Sequence, residues 1–243
     1  MEKHLETVNW RKSRGCSLLT QETIPSYTRR GLGGGYVARE DLIRVKDITL
    51  ELDAEVYRPA EDSLLLLSAI ESLSDLSGLR CLDVGTGTGI LAIKMALLGC
   101  DTVASDISDR AVRLALRNAH TNGVEIHVVQ GNLSHHFREH SFDLVVFNPP
   151  YLPEEPDPTI ELSISWSGGA RGRKLIDGLL KDLPRILKEG GRALILHASY
   201  NNPELTLERV SKLGLRGEII GRRKLPFHEL LVVEIKSVRV ERP

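Results

Sequence analysis

The sequence Leu-Arg-Cys-Leu-Asp-Val-Gly-Thr-Gly-Thr-Gly at residues 79–89 indicates the fold class of this chain. The apolar run that ends at Val84 predicts a buried strand, the glycines predict a tight loop, and the apolar residues 90–98 predict a helix. Glycine lets the backbone turn sharply and pass close to a ligand. The spacing is G-x-G-x-G, which differs from the G-x-G-x-x-G of nicotinamide-dependent enzymes. Asp83, directly before the loop, would suit a ligand with an ammonium group better than a pyrophosphate.

Strands and helices alternate on both sides of this loop. The predicted strands are 48–52, 79–84, 102–106, 124–129, 142–147, 193–196, 216–220 and 230–235, and the predicted helices are 64–73, 90–98, 109–121, 174–187 and 204–213. Asn122-Gly123 and Gly190-Gly191 are expected to end the third and fourth of these helices. The short link through Pro226 predicts an antiparallel hairpin between the last two strands. We therefore predict an α/β fold, with a Rossmann-like seven-stranded mostly parallel sheet from residue 79 onward, helices on both faces and a C-terminal antiparallel hairpin.

Composition and charge restrict the class of protein. The chain has 243 residues, of which 41% are hydrophobic and 27% charged, as in a soluble globular protein. This length fits one large domain or one domain with an appendage. A net charge of −1 gives no general attraction to nucleic acid or anionic lipid, although it leaves room for a local basic patch. The three cysteines are too few for a disulfide framework. Because neither a signal peptide nor a membrane-spanning stretch is apparent, we expect a cytoplasmic location.

Residues 1–44 lack the regular apolar pattern of the rest of the chain. They carry eight basic and five acidic residues, and four glycines stand within residues 31–35. We interpret this stretch as a flexible N-terminal extension, with an arm that contacts RNA or a ribosomal partner as the alternative. Residues 45–243 are predicted to form the folded domain that carries the activity.

Four of the predicted strands end in an acid or an amide, namely Asp83, Asp106, Asn132 and Asn148. Ligands bind at the carboxyl ends of the strands in open α/β sheets. Asp106 stands where such folds hold ribose hydroxyls, although an Asp there is also a common helix N-cap. Asn132 and Leu133 could offer an amide to a purine edge and an apolar face to its ring, or they could form an ordinary Gly-Asn turn. Ser63, in the first turn of a helix, is either a hydroxyl near the cofactor or an exposed serine.

The stretch Asn-Pro-Pro-Tyr at 148–151 directly follows a predicted buried strand. Two prolines lack the N–H group and fix the backbone dihedral φ, so the chain leaves the sheet in a rigid, extended form. Asn148 and the carbonyl of Pro149 offer hydrogen-bond acceptors, and Tyr151 offers a flat face. This combination suits a planar group that bears an NH2. A stiff turn without a binding function is the alternative, because Asn and Pro are ordinary turn residues.

Together, Asp-Val-Gly-Thr-Gly-Thr-Gly at 83–89, Asp106 and Asn-Pro-Pro-Tyr at 148–151 resemble the class I S-adenosylmethionine methyltransferases that act on planar NH2 nitrogens. Val-Tyr-Arg-Pro-Ala-Glu-Asp-Ser at 56–63 and Ser-Trp-Ser-Gly-Gly-Ala-Arg-Gly at 165–172 resemble the HemK-like protein-(glutamine-N5) methyltransferases, in particular their archaeal and eukaryotic release-factor branch. The resemblance thus makes a specific statement about the acceptor nitrogen, which the glycine loop alone does not make.

This resemblance, which covers residues 45–237, implies a cofactor, a substrate and a partner. The cofactor is S-adenosylmethionine, the acceptor is the glutamine of the Gly-Gly-Gln loop in a class I peptide chain release factor, and the partner is a small zinc-binding activator protein. The implied cofactor residues are Ser63, Asp83, Gly85, Gly87, Asp106, Asn132, Leu133 and Asn148. Asn132 departs from the family pattern, which often has Asp, and so loses a charge but keeps an acceptor.

The mechanism follows from the weak nucleophilicity of an amide nitrogen, whose lone pair is delocalised. Asn148 and the Pro149 carbonyl would accept its two hydrogens and aim the nitrogen at the methyl group, and Tyr151 would pack against the amide plane. The sulfonium of the cofactor activates the methyl group, so we expect neither a protein nucleophile nor a metal. His135, His136 and His140 are accordingly interpreted as a solvated loop.

Three other functions fit parts of the sequence. An adenine-N6 methyltransferase acting on DNA or RNA would use the same four residues, since adenine also presents a planar NH2; the near-neutral charge disfavours it. A non-catalytic protein that keeps the fold is disfavoured by the intact Asn-Pro-Pro-Tyr turn. A nicotinamide dehydrogenase is disfavoured by the glycine spacing.

Overall fold

The structure is a computed structural model, and it describes residues 42–151 and 172–237. In chain order its elements are β1 Leu42–Val45, β2 Ile48–Glu51, α1 Glu61–Glu71, β3 Arg80–Val84, α2 Ile90–Leu97, β4 Asp101–Asp106, α3 Asp109–Thr121, β5 His127–Gln130, β6 Phe142–Phe147, α4 Lys174–Ile186, β7 Leu187–Ala198, α5 Pro203–Lys212, β8 Leu215–Lys224 and β9 Glu229–Ser237, with a 3-10 turn at Ser199–Asn201. Most of the predicted extension 1–44 and of the motif 165–172 lies outside the described residues. Strand β1 starts before the predicted domain boundary at residue 45, and that boundary stays a prediction.

Seven strands in the described ranges form one sheet in the order β5-β4-β3-β6-β7-β9-β8. Neighbours from β5 to β7 pair in parallel, whereas β9 pairs antiparallel with both β7 and β8. The sequence prediction of a mostly parallel sheet with a C-terminal antiparallel hairpin is therefore confirmed. Parallel pairing brings the ends of β3, β4 and β6 to one edge of the sheet, which we call the carboxyl edge.

Helices cover both faces of the sheet. Residues of β3 alternate between the two faces, so that Cys81 belongs to one apolar core and Leu82 to the other. The first core includes residues from α1, α2 and α3, such as Leu66 and Met95. The second includes residues from α4 and α5, such as Leu183. Because both faces are covered, the central strands are almost continuously apolar. No helix within residues 42–151 and 172–237 combines the length and apolar character that a membrane crossing needs.

The small hairpin of β1 and β2 is held against helix α3 by two side-chain amides. Asn118 donates to the carbonyls of Glu51 and Thr88 and accepts from the backbone N–H of Glu51, and Asn122 makes the matching pair of bonds with Thr49. The backbone N–H and carbonyl groups of Thr49 and Glu51 in β2 thus have hydrogen-bond partners on α3. The hairpin leads directly into residues 55–63, which border the site described below.

The end of helix α4 differs from the sequence prediction. The helix ends at Ile186 and strand β7 begins at Leu187, whereas Gly190-Gly191 was expected to end the helix. The glycines instead lie in an irregularity of β7, where the pairing with β6 shifts register. A Cβ atom on Gly191 would lie 2.9 Å from the Lys188 carbonyl oxygen, so the close approach of the backbone requires glycine here.

Strand β5 also begins later than predicted, at His127 rather than at residue 124. The N–H of Val124 still bonds to the carbonyl of Ala119 in α3, and Gly123 has a φ of +68°. Val124 therefore belongs to the C-terminal cap of α3 and not to strand β5. The predicted helix end at Asn122-Gly123 is confirmed, because α3 ends at Thr121.

Candidate functional site

A cavity of about 440 Å³ opens at the carboxyl edge of the sheet, a volume suited to a small-molecule cofactor. Its walls come from the ends of β3, β4 and β6 and from residues 55–63 before and within α1. The predicted site residues that line it are Ser63, Gly85, Gly87, Asp106, Asn132, Leu133, Asn148, Pro149 and Tyr151. The structure thus places nearly all of the predicted site residues around one cavity, while their roles remain predictions.

The glycine loop is fixed by backbone hydrogen bonds. Gly85 and Gly87 have φ angles of +63° and +54°, a region that favours glycine. The N–H of Thr86 donates to the Ser105 carbonyl at 3.0 Å, which ties the loop to β4. A Cβ atom on Gly85 would lie 3.4 Å from the Phe147 ring. The loop therefore passes through a narrow space and presents its backbone to the cavity.

Asp106 lines the cavity and also anchors the loop. One carboxylate oxygen accepts from the N–H of Gly87 at 3.0 Å and the other from the N–H of Ser108 at 2.9 Å. Burial raises the pKa of this carboxyl, and these hydrogen bonds oppose the change. A carboxylate has about four acceptor sites, so Asp106 retains capacity for further donors such as a pair of hydroxyls. Its N-cap alternative is not observed, because Ser108 caps helix α3.

Asp83 is the predicted site residue that does not line the cavity. It is fully buried, and one of its oxygens accepts from the Thr86 hydroxyl at 2.6 Å and from the N–H of Ala92 at 3.1 Å. Its other oxygen has no hydrogen-bond partner within the described part of the chain. Burial raises the pKa of Asp83 to about 7, although the two hydrogen bonds lower it. In the structure Asp83 thus supports the glycine loop from behind.

Asn132 and Leu133 border the cavity at the end of β5. Asn132 is exposed, whereas Leu133 is half-buried and packs against the second core. Leu133 has a φ of +50°, which is uncommon for a residue with a side chain. The N–H of Gly131 donates to the Asp106 carbonyl at 2.8 Å and fixes the start of this turn. The arrangement holds an apolar side chain against the cavity.

The orientation of the Asn148 side chain is set by a chain of hydrogen bonds that begins at Asp62. The Ser63 hydroxyl donates to one Asp62 oxygen at 3.1 Å. Because its hydrogen is used there, Ser63 offers a lone pair to the Asn148 NH2, which lies 3.4 Å away. The Asn148 amide oxygen is buried and has no partner within the described residues. A buried acceptor without a partner is costly, and Asn148 is one of the residues that line the cavity.

Asp62 also binds two tyrosines. Its second oxygen accepts from the hydroxyl of Tyr57 at 2.7 Å and from that of Tyr151 at 3.1 Å. Only 1% of Asp62 is exposed. Burial, followed by the negative charge of Asp62, raises the pKa of both tyrosines well above the usual value, so both hydroxyls remain protonated donors. Asp62 therefore fixes the Tyr151 ring and, through Ser63, the Asn148 amide.

The backbone of Tyr151 is held separately, from the end of strand β7. The Asn201 side chain donates to the Tyr151 carbonyl at 2.9 Å and accepts from the N–H of Ala198 at 2.7 Å. Gly172 packs against the same carbonyl oxygen, and a Cβ atom at this position would lie only 1.9 Å from that oxygen. The buried guanidinium of Arg173 in turn donates to the Asn201 carbonyl at 2.5 Å. Both sides of the Asn-Pro-Pro-Tyr turn are therefore clamped.

Sequence reasoning missed Asp62, Tyr57 and Asn201. A signal for Asp62 exists in the stretch Ala-Glu-Asp-Ser, because an acid so close to the start of an apolar helix can become buried and then needs donors. For Asn201 we find no signal in the sequence. His135, His136 and His140 are exposed, as predicted. Across the described ranges no group of three or more His, Cys, Asp or Glu residues could hold a metal ion.

Comparisons with known proteins identify relatives of the chain. A family model described as "Methyltransferase small domain" matches residues 59–164. A Methanocaldococcus jannaschii protein, provisionally named a protein N5-glutamine methyltransferase, is 38% identical over 195 residues, which are 79% of this chain and 97% of the relative. Human methyltransferase HEMK2 is 33% identical over 193 residues, which are 74% of this chain and 89% of the relative.

A solved structure agrees with these sequence matches. It is the E. cuniculi Mtq2–Trm112 complex, described as responsible for methylation of the eRF1 translation termination factor. The matching chain is 26% identical with a TM-score of 0.62, and the alignment covers 75% of this chain and 99% of that one.

Proposed function

This chain belongs to the HemK-like protein-(glutamine-N5) methyltransferases, and we propose from that premise that it methylates the side-chain amide nitrogen of a glutamine. S-adenosylmethionine is the proposed cofactor, and it supplies an activated methyl group on a sulfonium. The proposed acceptor is the glutamine in the Gly-Gly-Gln loop of a class I release factor. Since release factors act during translation, we place the reaction in the cytoplasm.

The single observation that carries the proposal is the unpartnered amide oxygen of Asn148. An acceptor that is already desolvated and fixed can bind an NH2 hydrogen without reorganising during the reaction. The Pro149 carbonyl would accept the second hydrogen. The two hydrogen bonds polarise the N–H bonds and raise electron density on nitrogen. Holding the nitrogen in line with the methyl group supplies much of the acceleration. Tyr151, fixed by Asp62, would pack against the amide plane.

The residues around the cavity fit the cofactor. Asp106 has free acceptor capacity for two ribose hydroxyls, Leu133 offers an apolar surface to a purine ring, and Asn132 can bind the edge of that ring. Gly85 and Gly87 leave room for the remainder of the ligand. Asp83 would act at longer range, since a cation on the far side of the glycine loop would stabilise its ionised form.

A small zinc-binding activator is the proposed partner, and the Mtq2–Trm112 complex supports an assembly of that kind. Strand β5 stands at the edge of the sheet and, among residues 42–151 and 172–237, pairs on one side only. The exposed apolar side chains Ile107, Leu116 and Val129 belong to β5 or to the elements beside it. A partner that pairs with this edge and covers these side chains would improve solubility. We therefore expect the chain expressed alone to be poorly soluble or weakly active, and a fully active monomer would contradict this expectation.

A methyl-transfer assay with labelled S-adenosylmethionine tests the function. The substrates are a release factor, its Gln→Ala variant in the Gly-Gly-Gln loop, and duplex and single-stranded DNA. We expect label on the factor and none on the variant. Label on DNA alone would replace the proposal by adenine methylation. The acids Glu55, Asp62 and Asp106 around the cavity, against Lys174, disfavour phosphate-rich substrates.

A further inference from the structure

The tip of the β8–β9 hairpin, residues 225–228, presents an unusually exposed aromatic side chain. Phe227 is 98% exposed. Pro226 beside it is exposed, and Tyr200 on the neighbouring turn is 37% exposed. A large apolar side chain in water is unfavourable, and aromatic residues supply much of the binding energy of protein interfaces. A cluster of such side chains at one place calls for a partner that covers it.

The pairing of the strands places this tip at the carboxyl edge. Ala198, the last residue of β7, pairs with Leu230 of β9, and Lys224 at the end of β8 pairs with Glu229. Strand β7 runs parallel to β6, which ends at the Asn-Pro-Pro-Tyr turn. The hairpin tip and the catalytic turn therefore lie at the same edge of the sheet, separated by the end of β7.

Direct contacts connect the tip to that turn. The rings of His228 and Tyr200 lie 5.6 Å apart, and the N–H of Glu229 donates to the Ser199 hydroxyl at 3.2 Å. Asn201, the last residue of the same 3-10 turn, donates to the Tyr151 carbonyl. These contacts join the hairpin tip, which carries Phe227, to the turn that ends at Tyr151.

A backbone hydrogen bond closes the tip, and basic residues at the end of β8 flank it. The N–H of Leu225 donates to the His228 carbonyl at 2.8 Å and closes the turn. Arg222 pairs with Glu229, and Arg223 pairs with Glu61 at the start of helix α1. Lys224 is exposed and forms no ion pair with the described residues. An exposed apolar side chain with a basic neighbour is suited to an apolar pocket with an acidic rim.

We propose that this tip is a docking surface for the folded body of the protein substrate. Phe227 enters an apolar pocket next to the acceptor loop, and Lys224 faces an acidic group. The inference rests on the proposed function, because a protein whose glutamine reaches Asn148 must cover this edge. An activator bound at β5, as proposed above, would leave this surface free, since β5 and β8 stand at opposite ends of the sheet.

The test compares Phe227→Ala with Leu213→Ala. Leu213 is also an exposed apolar residue, but it precedes β8 and lies at the opposite edge of the sheet. Full-length enzyme in complex with its activator is assayed with the whole release factor and with a short peptide that contains Gly-Gly-Gln. For Phe227→Ala we expect the KM for the whole factor to rise about 10- to 30-fold with nearly unchanged kcat. The peptide kinetics should stay the same, as should both sets of kinetics for Leu213→Ala.

A charge variant gives a second measurement. Lys224→Glu should raise the KM for the whole factor about 3- to 10-fold, and the difference from wild type should shrink as salt is added.

Several results would overturn the docking surface. These are an unchanged KM for Phe227→Ala, an equal defect with the peptide, loss of activator binding, and RNA binding that depends on Phe227. The proposed function fails separately, if the wild-type enzyme labels the glutamine of neither substrate.

Discussion

The two halves of the cavity differ in how far apart in sequence their interacting residues are. The half assigned to the cofactor consists of a glycine loop and Asp106, which bond to each other over a short stretch of chain. The half assigned to the acceptor joins side chains that are 85 and 89 positions apart, in the pairs Ser63–Asn148 and Asp62–Tyr151. The geometry of the cofactor half is therefore set by residues close in sequence. The geometry of the acceptor half depends on the tertiary fold and on the buried carboxylate of Asp62.

The largest expected effect comes from Asn148→Ala, which removes the acceptor oxygen. Turnover should fall on the order of 10²- to 10³-fold, because one preorganised hydrogen bond to the reacting group is lost. The dissociation constant of S-adenosylmethionine should change far less. Single-turnover kinetics together with calorimetric titration of the cofactor measure both quantities. Near-native turnover with the cofactor bound would refute the role of Asn148.

Asp106→Ala should produce the opposite pattern. Loss of a charged acceptor weakens cofactor binding by about 10- to 100-fold, while turnover at saturating cofactor stays close to that of wild type. Asp106→Asn, which retains one acceptor oxygen, serves as the matched intermediate. If turnover fell and affinity did not, the division of the cavity into two halves would be wrong.

Ser63→Ala tests the link between Asp62 and Asn148. Without the hydroxyl the Asn148 amide is free to rotate, and we expect kcat to fall about 10-fold. Ser63→Thr keeps the hydroxyl and should restore most of the activity. Thermal melts of the three proteins check that stability is comparable. Equal rates for the alanine and threonine variants would show that the amide needs no such support.

The smallest effect concerns Asp83 and is a change in stability with pH. The pKa of Asp83 is about 7 in the folded protein, whereas in the unfolded chain it has the ordinary value of 3.8. Between these values the folded state binds more protons, so the free energy of unfolding falls as pH rises. The Tm of wild type should drop several degrees more than that of Asp83→Asn between pH 5 and pH 8. Parallel pH profiles would contradict the raised pKa.

Sequence patterns predicted the fold, and they selected residues that line one cavity, for a physical reason. Apolar periodicity and glycine loops are local, and parallel strands place their ends at one edge. The acceptor half was found in part, since the Asn-Pro-Pro-Tyr turn is also local. The role of Asp62 was missed because Tyr57 and Tyr151 meet it only after helix α1 packs beside the turn. The place of Asp83 behind the loop was missed because local sequence does not show which side of a loop a carboxylate faces.

The close approach of Gly172 to the Tyr151 carbonyl has a consequence for the residue type that position 172 accepts. Any side chain there would collide with that carbonyl, and the φ of +64° also disfavours every residue except glycine. A substitution would push the Tyr151 carbonyl away from the Asn201 side chain that donates to it. A residue outside the cavity lining thereby controls the position of the turn that borders the cavity.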